Sequence, residues 1–553
     1  MTRFLFPPLH RWLAALLLAL LVGAAQAVTP DVVAEAEAEA DFDYADAVQA
    51  LPEANFRVKA EIVGELVRRG HAHARPLIEA LLDNRLYANE AGVFIAEPNA
   101  DDDADPQWRD ALTLQTADAT LTSRDRIRTN NSLRAALKTA LAQFDLADPD
   151  AAVRLSAVRA LSGDLDDDVR ALLIVQQAGD DDAAVRREID IALAVDQLNA
   201  DDAAMRLAAI TVLDGEHRNL VYNRVKPLAD PANEADAEVR AAAAKVVTSI
   251  DGWREIYGGL ETLFFGLSLG SVLVLAAIGL AISFGVMGVI NMAHGELIML
   301  GAYTTYVMQL LLPNHIGLAL VLAIPAAFVV SGLVGVAIER GVIRFLYGRP
   351  LETLLATFGI SLILQQVVRS IFSPLNRSVT SPEWMQGLWQ INDLFSVTYN
   401  RLAIVVFMLI VFALLLLVMN RTSLGLKVRA VSQNRAMAKA MGVRTARVDA
   451  MTFGLGSGIA GIAGVALSQL TNVGPNLGQA YIVDSFMVVV FGGVGNLWGT
   501  LISGLTLGVL NKLLEPAAGA VMAKILVLVA LILFIQRRPK GLFPQKGRAA
   551  EGH

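Results

Sequence analysis

Residues 402–420 read LAIVVFMLIVFALLLLVMN, a run of nineteen residues without a charged side chain. A helix needs about 20 predominantly apolar residues to cross the hydrocarbon core of a bilayer. This run therefore predicts a membrane-spanning helix, and further apolar stretches flank it at about 260–284, 293–312, 317–339, 351–372, 450–470, 484–513 and 518–536. We expect an all-α, polytopic membrane domain at 258–545 with seven or eight membrane segments, followed by a cytoplasmic tail at 546–553.

The charges divide the 553-residue chain into three parts, although its formal net charge is only −8. Residues 1–27 carry two basic side chains and no acid, and residues 28–257 carry 44 acidic and 24 basic ones. The remaining residues carry 10 acidic and 20 basic side chains, and fifteen of these cations fall in 340–349, 421–447 and 537–548. Because short basic loops face the cytoplasm, we expect these segments and the C-terminus to lie on the cytoplasmic side of the membrane.

The first 27 residues have the three parts of an export signal. Arg3 and Arg11 precede an apolar run at 12–22, and Ala25-Gln26-Ala27 is a small-x-small cleavage site. We expect a signal peptide at 1–27 that is cleaved after Ala27. An uncleaved anchor is the alternative, and it also places the following residues, 28–257, in the periplasm.

Residues 28–257 contain a repeated phrase. It reads DPDAAVR at 148–154, DDDAAVR at 180–186, DDAAMR at 201–206 and AEVR at 237–240. Aspartate before a helix caps free amide groups, and the apolar face that follows needs a neighbouring helix to cover it. The pattern predicts a periplasmic α-helical domain of stacked repeats, similar to HEAT repeats. An ordinary helical bundle with similar caps is the alternative.

Polar residues interrupt the apolar second half at two places. Residues 285–296 read GVMGVINMAHGE and continue to Tyr303, and residues 491–499 read FGGVGNLWG. Asparagine, histidine and glutamate are costly inside a membrane and favour a functional interpretation. The glycines at 492–495 predict a broken helix within 484–513. Five glycines in GLGSGIAGIAG, residues 454–464, predict close helix packing, with a pore lining as the alternative.

A third stretch is the basic loop at 421–447, which includes TSLGLKVRA, NRA and AMGV. Its 27 residues exceed the length of a simple connector, and its pattern is that of a short amphipathic helix. An ordinary positively charged loop is the alternative.

Together these three stretches resemble permeases of the branched-chain amino-acid/urea class of ATP-binding-cassette importers, over about 258–545. The resemblance implies a transport subunit that works with a second permease subunit, cytoplasmic ATP-binding subunits and a periplasmic substrate-binding protein. It also implies that the basic loop docks on the ATPase. The implied coupling-loop residues are Gly425, Arg429, Asn434, Arg435, Ala440 and Gly442.

The exported domain at 28–257 departs from branched-chain amino-acid permeases and is similar to the extended permease subunit of urea importers. The resemblance therefore implies urea as the solute. Urea is neutral and needs paired donors and acceptors rather than a net charge. The candidate pathway residues are Asn291, His294, Glu296, Tyr303, Gln365, Gly493, Gly495 and Asn496. The alternative role of Asn291, His294 and Glu296 is to support broken helices.

Two other functions remain open. A permease of the same family for branched-chain amino acids or short-chain amides has the same membrane motifs. A membrane-anchored receptor or scaffold is the alternative of a different class, but it would not need seven or eight segments. The sequence lacks a Gly-x-x-x-x-Gly-Lys-Ser/Thr phosphate loop and has no cysteine. We expect no catalytic, cofactor or metal site and no nucleic-acid partner, and separate subunits hydrolyse ATP.

Overall fold

A computed structural model describes residues 43–89, 91–97, 107–117, 126–163 and 165–543. The predicted signal peptide at 1–27 and the tail at 546–553 lie outside these residues. The described residues form two compact units, one drawn from Met1–Glu216 and Leu220–Val247, the other from His217–Asn219 and Thr248–His553. Helices dominate both units, which confirms the predicted all-α class.

The first unit begins with helices and a small sheet that helical periodicity did not predict. The helices are α1 (Tyr44–Ala50), α2 (Phe56–Arg68), α3 (Ala74–Leu82) and α4 (Asn131–Asp145). The antiparallel sheet has the order β1-β2-β3-β4, with β1 at Leu86–Asn89, β2 at Gly92–Glu97, β3 at Gln107–Asp110 and β4 at Thr116–Ala117. In β2 residues 93–96 are all buried, so the strand lacks the alternation that would identify it in the sequence.

The repeated phrases each begin a helix, and their aspartates act as the predicted caps. Asp150, Asp182 and Asp202 accept hydrogen bonds from backbone amides two residues ahead, at 2.8–3.0 Å. The cap leaves the apolar face of each helix to pack on the next one. The helices are α5 (Ala151–Leu161), α6 (Asp167–Gly179), α7 (Ala183–Gln197), α8 (Ala203–Leu213) and α9 (Asn219–Val225).

In two of the phrases the final arginine binds an acid further along the chain. Arg154 pairs with Asp180 at 2.8 Å, and Asp180 itself opens the second phrase. Arg206 pairs with Glu234 at 2.7 Å in the same way. These two phrases therefore encode both a helix cap and a link to a later part of the chain.

The partners of Asp180 keep its carboxyl ionised to low pH. Its hydrogen bond from Arg154 holds the pKa of the Asp180 carboxyl well below its usual range, with the Asp182 amide and the Gln176 side chain adding to the effect. Because the pKa of Asp180 is lower in the folded protein, its ionised carboxylate stabilises the fold. This stabilisation is fully present above the ordinary pKa of 3.8 and is lost as the pH falls through the folded pKa.

We expect Asp180→Asn to speed backbone hydrogen exchange in α5–α7 of the full-length protein about tenfold at pH 7. The difference in exchange rate between variant and wild type should become smaller only below about pH 4. Asp181→Asn, which changes the exposed neighbour, is the control and should leave the exchange rate unchanged. Equal exchange of the Asp180→Asn variant and wild type at pH 7 would contradict the assigned role of the pair.

The second unit contains the apolar helices. They are α10 (Ala237–Met287, which contributes to both units), α11 (His294–Leu311), α12 (Ile316–Gly341), α13 (Pro350–Phe372), α14 (Tyr399–Arg421), α15 (Ser423–Gln433), α16 (Arg435–Ala440), α17 (Thr445–Ser468), α18 (Leu477–Gly492), α19 (Leu497–Ala518) and α20 (Ala520–Arg537). A hairpin of β5 (Leu388–Asn392) and β6 (Phe395–Thr398) precedes α14.

Seven helices among the described residues are long and apolar enough to cross a membrane, judged by length and composition: α10, α12, α13, α14, α17, α19 and α20. The predicted segment at 293–312 forms α11, which is not among the seven. The interrupted 484–513 stretch forms two helices, α18 and α19, as the glycine break predicted. The second of them, α19, has 22 residues and is by itself long and apolar enough to cross a membrane.

The glycine stripe of α17 lies at the centre of this unit. A Cβ added at Gly301 of α11 would lie 2.0 Å from the Gly461 carbonyl oxygen, and one at Gly279 of α10 would lie 2.1 Å from that of Gly456. These backbones touch directly, which only glycine permits. In α17 an 18-residue apolar stretch is 83% buried, against 17% for the corresponding stretch of α20, so the stripe serves helix packing.

Candidate functional site

The site begins where α11 starts inside the helical bundle. His294, at the start of α11, lies with Nε2 2.8 Å from the Ala276 carbonyl oxygen. A carbonyl only accepts, so His294 donates this bond. Ala276 lies eleven residues before Met287, the end of α10, or about 16 Å along the helix axis. The chain therefore turns back through residues 288–293 and begins α11 beside the body of α10.

Asn291 stabilises this returning segment. Its side chain is 1% exposed, and its Oδ1 accepts a hydrogen bond from the Ala293 amide at 3.0 Å. The neighbouring Met292 amide donates to Thr357 Oγ1 of α13 at 3.1 Å. In this structure, both Asn291 and His294 have backbone groups as their hydrogen-bond partners.

Glu296 lies in the first turn of α11 and is 1% exposed. Its Oε1 accepts hydrogen bonds from Ser361 Oγ at 2.9 Å and from Gln365 Nε2 at 2.7 Å, both on α13. Its Oε2 is buried and has no hydrogen-bond partner in the part of the chain that the structure describes. The start of a helix favours a negative charge, but this second oxygen retains free acceptor capacity.

The partners of Glu296 belong to a polar stripe on α13 that the sequence analysis only partly identified. The stripe recurs at every fourth residue, each at most 4% exposed: Thr353, Thr357, Ser361 and Gln365. This spacing within an apolar helix was the available signal, because residues four apart share one helix face. Gln365 was predicted and belongs to the stripe, and its neighbour Gln366 points outward and is exposed.

Tyr303 lies on the same face of α11 as Glu296, seven residues later or about 10 Å along the axis. It is 2% exposed, and its ring stacks on Phe372 of α13 with ring centroids 4.7 Å apart. Its hydroxyl is buried and lacks a hydrogen-bond partner within the described residues. Glu296, Tyr303 and Gln365 thus bring two unsatisfied polar atoms and an amide to the contact between α11 and α13.

The second predicted group, Gly493, Gly495 and Asn496, has different neighbours. Gly493 and Gly495 adopt positive φ angles of 99° and 78°, and Asn496 caps α19 by accepting from the Gly499 amide at 3.1 Å. The Asn496 side chain also donates to the Phe543 carbonyl at 3.4 Å. These residues connect α18 to α19 and hold the C-terminal segment.

The predicted coupling loop forms α15 and α16, and we call residues 422–444 the coupling segment. Four of its six predicted residues have contacts within the segment or at the end of α14. Gly425 and Arg429 contact the Met419 carbonyl, Asn434 caps α16 by accepting from the Met437 amide at 2.9 Å, and the Gly442 amide donates to the Lys439 carbonyl at 3.1 Å. Ala440 ends α16, and Arg435 binds Asp449 of α17.

The sequence analysis missed the apolar side chains that the coupling segment exposes. Leu426, Met437 and Met441 are 63%, 60% and 78% exposed. Exposed cations lie beside them at Lys427 and Lys439. The segment therefore presents an apolar surface with basic neighbours, typical of a protein docking site.

One match to the hydrolase spacing Gly-x-Ser-x-Gly occurs in the membrane domain, at residues 266–270. A nucleophile elbow requires a strand-to-helix turn. Ser268 instead lies inside α10 and is fully buried, and Gly266 and Gly270 pack against the backbone of α19. The match reflects helix packing rather than a hydrolase site.

Comparison with known proteins agrees with the resemblance over the membrane domain. The family model described as "Branched-chain amino acid transport system / permease component" matches residues 262–535, and the residues before 262 lie outside this match. No solved structure matches the chain.

Several curated proteins are similar to this chain. The high-affinity branched-chain amino acid transport system permease protein BraD of Pseudomonas aeruginosa is 30% identical over 299 residues, 52% of this chain and 96% of BraD. LivH of Escherichia coli K12, with the same description, is 30% identical over 293 residues, 51% of this chain and 94% of LivH.

The ribose import permease protein RbsC of Escherichia coli K12 is 27% identical over 263 residues, 46% of this chain and 77% of RbsC. These relatives are permease proteins rather than enzymes, which confirms a transport role within the membrane. This chain belongs to the family of branched-chain amino acid transport system permease components.

Proposed function

We propose that this chain is the membrane-spanning permease subunit of an ATP-binding-cassette importer that carries urea across the bacterial inner membrane. In this proposal residues 28–257 are a periplasmic domain and the C-terminus is cytoplasmic. The membrane domain is similar to permease proteins of transport systems over almost their full length. The additional domain before residue 262 favours the urea branch over the branched-chain amino-acid branch.

The observation that carries the solute proposal is the cluster of Glu296, Ser361 and Gln365. Urea has N–H donors, which suit the unused Glu296 Oε2, and a carbonyl oxygen, which suits the second N–H of the Gln365 amide, because the single O–H of Ser361 already binds Glu296 Oε1. The three side chains combine acceptors and donors within one buried cluster. A small neutral amide therefore fits this chemistry, and Tyr303 provides a second polar contact further along α11.

A second candidate solute is a branched-chain amino acid, which the names of the relatives favour. A zwitterion needs groups of both charges. Arg369 lies four residues after Gln365 on α13 and donates to Asn476 at 2.7 Å. Glu296 would suit the ammonium group of such a solute, and Arg369 would suit its carboxylate group. Uptake measurements with both solutes therefore distinguish urea from a branched-chain amino acid.

The proposed partners follow from surfaces that the chain exposes. The coupling segment presents Leu426, Met437 and Met441, which support docking on a cytoplasmic ATP-binding subunit. The membrane helices α13, α14 and α20 are only 17–28% buried, which leaves faces for lipid and a second permease subunit. A periplasmic substrate-binding protein would deliver the solute.

Uptake of labelled urea and labelled leucine in a strain lacking this chain, with and without plasmid-borne wild type, tests the proposal. We expect the chain to restore urea uptake and not leucine uptake, and to copurify with ATP-binding subunits. Restoration of leucine uptake alone would favour the second candidate. Purification without any ATPase would favour a receptor or scaffold with a membrane anchor.

A further inference from the structure

Arg435 lies in the coupling segment but is directed toward α17. Its Nη1 and Nη2 donate to the two carboxylate oxygens of Asp449, both at 2.8 Å. Asp449 lies in the second turn of α17 and is 1% exposed. A bidentate arginine–carboxylate pair fixes both separation and orientation, so α16 is attached to α17 with a defined geometry.

The same guanidinium contacts Tyr347, which lies in the connection after α12 and binds the last turn of that helix. Its Cζ lies 4.9 Å from the centroid of the Tyr347 ring, and the Tyr347 hydroxyl donates to Glu339 Oε1 at 2.9 Å. Glu339 is 1% exposed and lies in the last turn of α12. Arg435 thus connects the coupling segment to two helices of the membrane domain.

The same helix, α17, also packs against α11, the helix that carries Glu296. A Cβ added at Gly301 of α11 would lie 2.0 Å from the Gly461 carbonyl oxygen of α17, and one added at Gly464 of α17 would lie 2.0 Å from the Ile298 carbonyl oxygen of α11. Such backbone contacts leave no room for the two helices to slide independently. Movement of the start of α17 would therefore be passed to α11.

We propose that Arg435 is a positioning residue that makes the coupling segment, α17 and α11 move as one body. The proposal rests on the proposed function, because the coupling segment must dock on an ATPase for its movement to matter. The paired guanidinium supplies this rigidity, and a lysine, with a single point charge, would not reproduce it.

The test is the amount of solute moved per ATP hydrolysed by the reconstituted importer. Arg435→Met with Asp449→Leu removes the pair without leaving a buried charge, so the protein can still fold. We expect this ratio to fall about tenfold in the double variant, and less in Arg435→Lys. Arg537→Gln removes an exposed cation at the end of α20, outside the basic loop, and should leave the ratio unchanged.

A purely structural role would lower uptake and ATP hydrolysis together and leave their ratio at the wild-type value, which would overturn the proposal. A second measurement does not depend on the solute. The chain has no cysteine, so spin labels at Lys439→Cys in α16 and Met451→Cys in α17 report only on these two exposed positions.

We expect a narrow distance distribution between the two labels in the full chain and a broad one in the Arg435→Met/Asp449→Leu background. Equal widths in the two backgrounds would overturn the rigid attachment. Failure of the wild-type importer to move urea counts against the proposed solute alone, and the label distances then decide the role of Arg435.

Discussion

Replacing Glu296 with alanine is expected to lower solute uptake about a hundredfold while the importer still assembles, because a charged hydrogen-bonding group is worth up to about 3 kcal/mol. The substitution removes the partner of Ser361 and Gln365 together with the unused acceptor Oε2. The measurement is initial uptake of labelled solute, normalised to the amount of permease copurified with its ATPase.

Two further variants separate transport from folding. Glu296→Gln keeps the shape and one acceptor oxygen, so it should assemble normally and transport about tenfold more slowly than wild type. Glu352→Ala removes an exposed carboxylate at the start of α13, 52% exposed, and should transport like wild type. A different result would contradict this role. If Glu296→Ala failed to assemble, and Glu296→Gln both assembled and transported like wild type, Glu296 would only support the start of α11.

Replacing Gly301 with alanine should prevent correct packing of the membrane domain. The new Cβ would lie 2.0 Å from the Gly461 carbonyl oxygen and 2.6 Å from two further Gly461 backbone atoms. No side-chain rotation relieves a clash with backbone, so α11 and α17 must separate, at a cost of about 3 kcal/mol or more. We expect the detergent-extracted protein to elute as aggregate in size-exclusion chromatography.

Gly359→Ala is the matched control for this prediction. Gly359 lies in α13, and an added Cβ there meets nothing within 4 Å. Since alanine favours a helix over glycine by about 1 kcal/mol, this variant should elute as wild type does or be slightly more stable. A Gly301→Ala protein that elutes and unfolds like wild type would show that the contact is looser than described.

The membrane helices were predictable because the signal for each is local. The run at 402–420 predicted a helix that the structure places at Tyr399–Arg421, since an uninterrupted apolar stretch of this length has few alternatives. The aspartate caps of the repeats were predictable for the same reason: each cap and its helix are adjacent in sequence.

The contacts of the candidate site were not predictable, because they join distant residues. His294 reaches back 18 residues to Ala276, and Ser361 reaches Glu296 from 65 residues away. Nothing in a single sequence specifies which face of α13 meets α11. The four-residue spacing of Thr357, Ser361 and Gln365 indicated a polar face but not its partner.

The two glycine-rich stretches show how similar sequences can have different environments. In each stretch a Phe-Gly pair, Phe284-Gly285 or Phe491-Gly492, precedes an asparagine, and each stretch contains predicted pathway residues. The structure places Asn291 in the buried segment before α11, whereas Asn496 caps α19 and contacts the C-terminal segment at Phe543. Their packing partners, rather than their local residues, make this difference.

In the proposed importer the solute passes the polar contact between α11 and α13. Labelling of Ser361→Cys in this otherwise cysteine-free chain with a small water-soluble thiol reagent tests this route. The control is Ser457→Cys, a 2% exposed position on the packed face of α17. We predict that residue 361 reacts during ATP turnover, that urea slows this reaction, and that residue 457 stays unreactive. A cysteine at 361 that never reacts during turnover, or whose reaction urea leaves unchanged, would contradict this route.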